Sequence, residues 1–133
     1  MDLTVKKDAL SRDDQSWLGS AHGTSSAHPV TLDISTFTAG THYPDGFLPS
    51  GTAVGILTGS GLAGPYLAGA LDGTAVFAGL TLTGQRVSGP DAVVVAPLLE
   101  HGRVISANLP FQTGAGAVDA PAKTAAAGRL IFA

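Results

Sequence analysis

The feature that most constrains the fold is a repeated alternation of short apolar runs with turn-forming residues. The run PVTLDIS (29–35) places Val30, Leu32 and Ile34 on one side and polar residues on the other, which is typical of a half-buried strand. Further β-branched-rich runs are TAVGIL (52–57), TAVFAGLTLT (74–83), DAVVVAP (91–97) and GRVISAN (102–108). Many short strands separated by glycine, proline or asparagine predict a small, mainly β domain of the barrel or sandwich type.

Two turn signals stand in tandem between the first two runs. The sequence YPDG has Pro44 at the second turn position, then Asp45, and Gly46 at the fourth, the usual arrangement of a type I turn. The sequence LPSG places Pro49 and Gly51 in the same way five residues later. We expect a rigid corner that directs the chain into the strand TAVGIL.

The C-terminal residues predict one short helix followed by a last strand. Asp119 suits a helix N-cap, Pro121 suits the first turn, and the alanine-rich stretch after it favours helix. Gly128 can end the helix, and RLIFA then has the composition of a strand.

The N-terminal residues differ from the rest of the chain. Residues 1–28 are polar and end in the Gly/Ser/Thr stretch GSAHGTSSAH, so we interpret them as an arm and linker ahead of a domain spanning 29–133. Leu3 and Val5 alternate with polar neighbours, a weak strand pattern. Trp17 and Leu18 form an isolated apolar pair that is expected to dock, either on a partner or on the chain's own domain.

Size and cysteine content limit the possible classes of protein. At 133 residues the chain has room for one compact domain plus a tail. It contains no cysteine, which excludes disulfide frameworks and thiolate metal sites and fits a reducing cytoplasm. We expect no signal peptide, since the first seventeen residues lack an apolar run of about 7–15 residues. No window approaches the roughly 20 apolar residues of a membrane helix, so no membrane partner is expected.

Charge is scarce and unevenly placed. Seven of the seventeen charged residues lie in 1–14, and the formal net charge is −3. Nucleic acid is not an expected partner, because phosphate binding requires clustered cations and the longest run is Lys6-Lys7. Depletion of charge from the remaining residues is typical of surfaces that pack against another protein, although a glycine-rich, uncharged domain would also produce it.

No pattern predicts catalysis, a metal or a cofactor. The segment GSGLAG (59–64) matches a dinucleotide-binding glycine motif, but Pro65 follows it and no acidic residue stands near the required spacing. The histidines have no metal-ligand spacing; they are His22, His28, His42 and His101. A small hydrolase using His42, Asp45 and Ser50 is the one enzymatic alternative, and the turns already account for the aspartate and the serine.

Residues 16–66 resemble the head-decoration proteins of tailed bacteriophages, the group related to the decoration protein of phage lambda, in the form found in phages of actinobacteria. The pieces that carry the resemblance are WLGS, VTLDIS followed by FTAGTHYPDG, PSGTAVG and GPY. The later TAVFAG and AKTAAAGRLIFA suit the group less specifically. The chain departs from the lambda-type protein in its arm.

This resemblance implies a capsid decoration, or cementing, protein without enzymatic activity. Such proteins form homotrimers on the outer capsid surface, at local threefold axes of the major capsid protein, and reinforce the expanded head against packaged DNA. The implied fold is a small β-clip or β-tulip barrel with an extended N-terminal arm that adds a strand to the capsid. The implied location is the virion surface, after synthesis in the host cytoplasm.

The resemblance gives the arm residues a role. An extended arm can pair its backbone with an exposed strand edge, and apolar side chains then stabilise the contact. The arm residues expected to bind the capsid are Leu3, Val5, Leu10, Trp17 and Leu18, with Trp17 as the anchor. The alternative function is a β-rich adhesion or carbohydrate-binding module on a virion surface.

Overall fold

The computed structural model describes residues 13–133, and in these residues the chain is mainly β. The strands are β1 (His28–Asp33), β2 (Phe47–Leu48), β3 (Ala53–Ile56), β4 (Ala63–Pro65), β5 (Gly79–Thr81), β6 (Gln85–Arg86), β7 (Val93–Leu99), β8 (Gly102–Val104) and β9 (Leu130–Phe132). Two short helices accompany them, α1 (Ala39–His42) and α2 (Ala120–Ala125). No helix in residues 13–133 has the length and apolar character needed to cross a membrane.

Five strands form a closed ring in the order β1, β4, β3, β5, β7. The ring closes because β7 pairs antiparallel with β1 along six residues, from His28 opposite Leu98 to Asp33 opposite Val93. The other pairings are antiparallel, except that β1 and β4 run parallel where Leu32 lies opposite Ala63. A mainly β domain is therefore confirmed.

Two smaller sheets complete the β structure. β2 and β6 form an antiparallel pair, with Phe47 opposite Arg86. β8 and β9 run parallel, with Arg103 opposite Ile131. Leu18 forms an antiparallel bridge with Val104, so a segment from the predicted arm adds to the other side of β8.

The inward position predicted for Leu32 in β1 agrees with its burial, and β7 also shows a period of two. In β7, Val94 and Ala96 are buried while Val93 and Val95 are exposed. In β1, Leu32 is buried and its neighbours are half-buried. Period-two alternation of this kind is what a ring with one filled face requires.

Buried apolar side chains form two clusters. One cluster draws on the ring strands and the 34–48 connection; its largest members are Leu32, Ile34, Phe37, Tyr43, Leu48, Val54 and Leu98. The second joins β5, β8, β9 and α2; its largest members are Trp17, Tyr66, Phe77, Leu80, Leu99, Val104, Leu109 and Leu130. The second cluster fixes α2 and the N-terminal segment onto the domain.

The predicted C-terminal helix is confirmed together with its ends. The Asp119 carboxylate accepts a hydrogen bond from the Ala122 N–H at 3.0 Å and so caps α2. Pro121 lies in the first turn, and Gly128 has a φ of +85° just after the helix. The last strand, β9, follows at once.

Two predicted strands are shorter than the sequence suggested, and one helix was not predicted. In 74–83 only Gly79–Thr81 is a strand, because the Asp72 carboxylate and the Gly73 carbonyl hold residues 74 and 76 in a turn. In 102–108 the strand ends at Val104, and Ser106–Asn108 form a 3-10 turn. The prediction of a single helix was wrong, since α1 also forms, with the His42 N–H donating to the Thr38 carbonyl.

The predicted boundary at residue 28 does not mark the start of packing. Asp13 already accepts a hydrogen bond from the Gly84 N–H, and the Gly19 N–H donates to the Arg103 carbonyl at 2.8 Å. Residues 13–27 therefore pack on the domain that follows them. The predicted arm residues Leu3, Val5 and Leu10 lie outside the described residues.

Candidate functional site

The corner at residues 43–51 is built as two bends, of which the first matches the predicted turn. The Gly46 N–H donates to the Tyr43 carbonyl at 3.0 Å, and Gly46 has a φ of +72° that favours glycine. Pro44 and Asp45 occupy the exposed middle of this turn. This bend closes on itself, as its sequence predicted.

The second bend differs from the first, because the N–H of its glycine bonds to another strand rather than within the bend. The Gly51 N–H donates to the Thr81 carbonyl at 2.7 Å, and the Thr52 hydroxyl donates to the Pro49 carbonyl at 2.8 Å. Gly51 has a φ of +84°, and a Cβ there would lie 2.9 Å from the Trp17 indole nitrogen. The second bend is therefore held by long-range contacts to β5 and to the N-terminal segment.

Trp17 lies inside the domain. Its side chain is 0% exposed, and its indole N–H donates to the Ser50 hydroxyl at 3.1 Å. That hydroxyl donates in turn to the Asp14 carbonyl at 2.9 Å. The expectation that Trp17 anchors the chain to a partner was wrong, because no face of the side chain is open; the alternative, docking on its own domain, is what the structure shows. Leu18 is half-buried and pairs with β8.

The hydrolase alternative finds little geometric support. The imidazole of His42 accepts a hydrogen bond at Nδ1 from the Thr38 N–H at 2.8 Å, and Nε2 lies 2.9 Å from the Ala115 carbonyl, which requires the proton on Nε2. His42 and Asp45 line one cavity of about 260 Å³, but Ser50 does not line it. Both ring nitrogens are thus occupied by backbone groups, and Ser50 is turned toward Trp17.

Tyr66 and Asp119 connect the ring to α2. The Tyr66 hydroxyl donates to the Asp119 carboxylate at 2.8 Å. Burial, with a further contribution from this hydrogen bond, raises the pKa of Tyr66 to about 12. The same carboxylate caps α2, so this pair holds the helix against the ring.

Metal-binding geometry is not found in the described part of the chain. No three histidine, aspartate or glutamate side chains within residues 13–133 are grouped so that they could hold an ion. The glycine motif at 59–64 also lacks the helix that a dinucleotide site requires, since β4 begins at Ala63 within it.

Several large apolar side chains of residues 13–133 are exposed. They are Ile56, Leu67, Leu71, Val76, Val93, Val95 and Ile131. Ile56 and Val76 line one apolar cavity of about 380 Å³, beside the loop that carries the fully exposed Leu71. Val93 and Val95 lie on the outer face of β7. The exposed side chains form candidate contact surfaces for other protein chains.

The stretch from Gly46 to Gln85 contains a single charged residue, Asp72. The Thr74 hydroxyl and N–H both donate to the Asp72 carboxylate, which lowers the pKa of this carboxyl. Leu71 and Val76 therefore belong to a stretch of the chain almost without charge. The shortage of charge was visible in the sequence, but these side chains were not predicted from it; the stretch around them, with its single charged residue, was the signal that could have identified them.

Comparison with known proteins identifies no relative of the chain. No protein-family model, no curated protein and no solved structure matches the chain.

Proposed function

We propose that the chain is a capsid decoration protein that binds the outer surface of a tailed-phage head as a homotrimer and stabilises the expanded shell. The observation that carries this proposal is the resemblance of residues 16–66 to head-decoration proteins, strongest in residues 29–66. The β-tulip fold, the major capsid protein as partner and the virion as location belong to the same proposal.

The structure supports this proposal in two ways. The domain is a small β ring whose second bend is fixed by hydrogen bonds, which suits a part that must hold its shape under load. Two of its exposed apolar side chains, Leu71 and Val76, belong to the stretch from Gly46 to Gln85, which holds one charged residue. Desolvating charge is costly, so an uncharged apolar surface is the kind that subunits bury when they associate.

The attachment device is assigned to residues 1–12 rather than to 1–28. Trp17 and the residues around it pack on the domain, so the proposed arm is restricted to residues 1–12. Ordering each residue costs about 1–2 kcal/mol, and each buried Leu or Val returns about 1.5–3 kcal/mol, so a single arm binds weakly. Three arms on one trimer would raise the apparent affinity by about 10²–10⁴.

The test is co-sedimentation with expanded, DNA-free heads of the phage that encodes the chain. We expect the full chain to have a mass in solution three times the 13.2 kDa of one chain and to saturate the heads. A chain lacking residues 2–12 should keep its trimer and its unfolding transition but lose binding by at least about a hundredfold.

A matched pair of variants isolates the apolar side chains of the arm. Replacing Leu3, Val5 and Leu10 with serine should reproduce the loss, whereas replacing Lys6 and Lys7 with glutamine should leave most of the binding. Undiminished binding by the truncated chain would refute the arm assignment. A monomer that ignores expanded heads but binds a glycan array would refute capsid decoration in favour of the adhesion alternative.

A further inference from the structure

A cavity of about 380 Å³ opens on the β8–β9 sheet, away from the corner at 43–51. Its lining residues are Ser20, His22, His101, Gly102, Arg103, Gly128, Arg129 and Ile131. Two arginines and two histidines thus line one cavity, and no aspartate or glutamate is among its walls.

The strand register explains why these side chains share a face. In β8, Gly102 and Val104 are buried while Arg103 between them is exposed. Arg103 lies opposite Ile131 in the parallel pair, so these two project from the same side of the sheet. Arg129, just before β9, lines the same cavity, and its Nη1 donates a long hydrogen bond of 3.5 Å to the Ala78 carbonyl. Gly19 makes room for the arginine, since a Cβ there would lie 3.0 Å from the Arg103 Cγ.

The cavity is lined by positive charge, whereas residues 13–133 as a whole carry more acidic than basic residues. Residues 13–133 contain four lysines and arginines against eight aspartates and glutamates, yet two of the four cations line this cavity. Neither guanidinium forms an ion pair with another residue of 13–133. The nearest acid in sequence, Glu100, has its carboxylate 3.4 Å from His28 Nδ1 and does not line the cavity.

We propose that this cavity binds a carboxylate side chain presented by a peptide segment of a protein partner. Guanidinium groups bind carboxylates through paired, charge-assisted hydrogen bonds, and two guanidiniums without an acidic partner in the described residues offer that recognition. Ile131 is 62% exposed at the same cavity and can contact the aliphatic part of such a segment. A nucleic-acid strand fits less well, because the eight acids of residues 13–133 repel a polyanion.

The experiment titrates the isotope-labelled full chain with a capped pentapeptide that contains two glutamates and follows backbone amide resonances. The same peptide with glutamines in their place is the control ligand, and inorganic phosphate at matched ionic strength is the third probe. We expect the glutamate peptide to shift the Gly102 and Gly128 resonances, and phosphate to bind more weakly than the peptide. Arg103→Gln and Arg129→Gln should each weaken peptide binding about tenfold or more.

Arg86→Gln is the matched control variant, since Arg86 is exposed on β6 and does not line the cavity. Its binding should equal that of the unmodified chain, and thermal unfolding should show that all three variants remain folded. The proposal is overturned if the glutamine peptide shifts the same resonances equally, or if Arg86→Gln weakens binding as much as the other two. Phosphate binding as tight as peptide binding would overturn the assignment to a peptide.

Discussion

Replacing Trp17 with alanine should remove a large part of the free energy of unfolding of the domain. The side chain is fully buried among Tyr66, Leu99 and Val104 and other members of its cluster. Truncating a buried tryptophan costs about 3–5 kcal/mol, against a total stability of about 5–15 kcal/mol for a typical domain. The Ser50 hydroxyl also loses the indole donor.

The assay is urea unfolding followed by far-ultraviolet circular dichroism, because the variant removes the single tryptophan of the chain and with it the fluorescence signal. Protein concentration must be constant, since the stability of an oligomer depends on it. Trp17→Phe keeps a buried aromatic ring but loses the second ring of the indole and its N–H bond, so it should cost about 2–3 kcal/mol, less than Trp17→Ala. Leu18→Ala, at a half-buried neighbour, should cost roughly 1 kcal/mol.

The result that would refute this reasoning is a Trp17→Ala variant whose free energy of unfolding lies within 1 kcal/mol of the unmodified chain, roughly the error of such extrapolations. A tryptophan that served as a capsid anchor would behave in that way, leaving stability unchanged and reducing only the binding to heads. The two roles are therefore separated by a measurement that needs no capsid.

Two further outcomes follow from the same packing. Folding raises the pKa of Tyr66 from 10.0 to about 12, so the neutral hydroxyl stabilises the folded state fully below pH 10, and this contribution is lost as the pH rises toward 12. Tyr66→Phe should therefore remove the loss of stability between about pH 9 and pH 12, as measured by denaturant titration. Gly51→Ala should lower the free energy of unfolding in urea by about 1–3 kcal/mol, since φ is +84° and the new Cβ would lie 2.9 Å from the Trp17 indole. Gly40 lies in α1 with open space around it, so Gly40→Ala should leave that free energy unchanged or raise it by up to about 1 kcal/mol. A pH-independent difference between the tyrosine and phenylalanine forms, or equal losses at the two glycines, would contradict these expectations.

The candidate contact surfaces show which features local sequence patterns can predict and which they cannot. The shortage of charge after residue 14 was visible in the sequence and indicated surfaces suited to association. The grouping of Ser20, His101, Arg103 and Arg129 around one cavity was not visible, because these residues come from three separate segments of the chain. The parallel pairing of β8 with β9 brings two of those segments together, and the bridge between Leu18 and Val104 adds the third.

The sequence alone determined the mainly β class, the inward position of Leu32 in β1, the turn at Tyr43–Gly46 and both ends of α2. These features depend on side-chain periodicity and on hydrogen bonds within a few residues, such as that from Ala122 to Asp119. The tertiary structure decided where Trp17 lies and how the Gly51 bend is closed. Both depend on contacts across thirty or more positions, Trp17 to Ser50 and Gly51 to Thr81. The packing of the whole domain governs whether these contacts form, rather than local conformational preference.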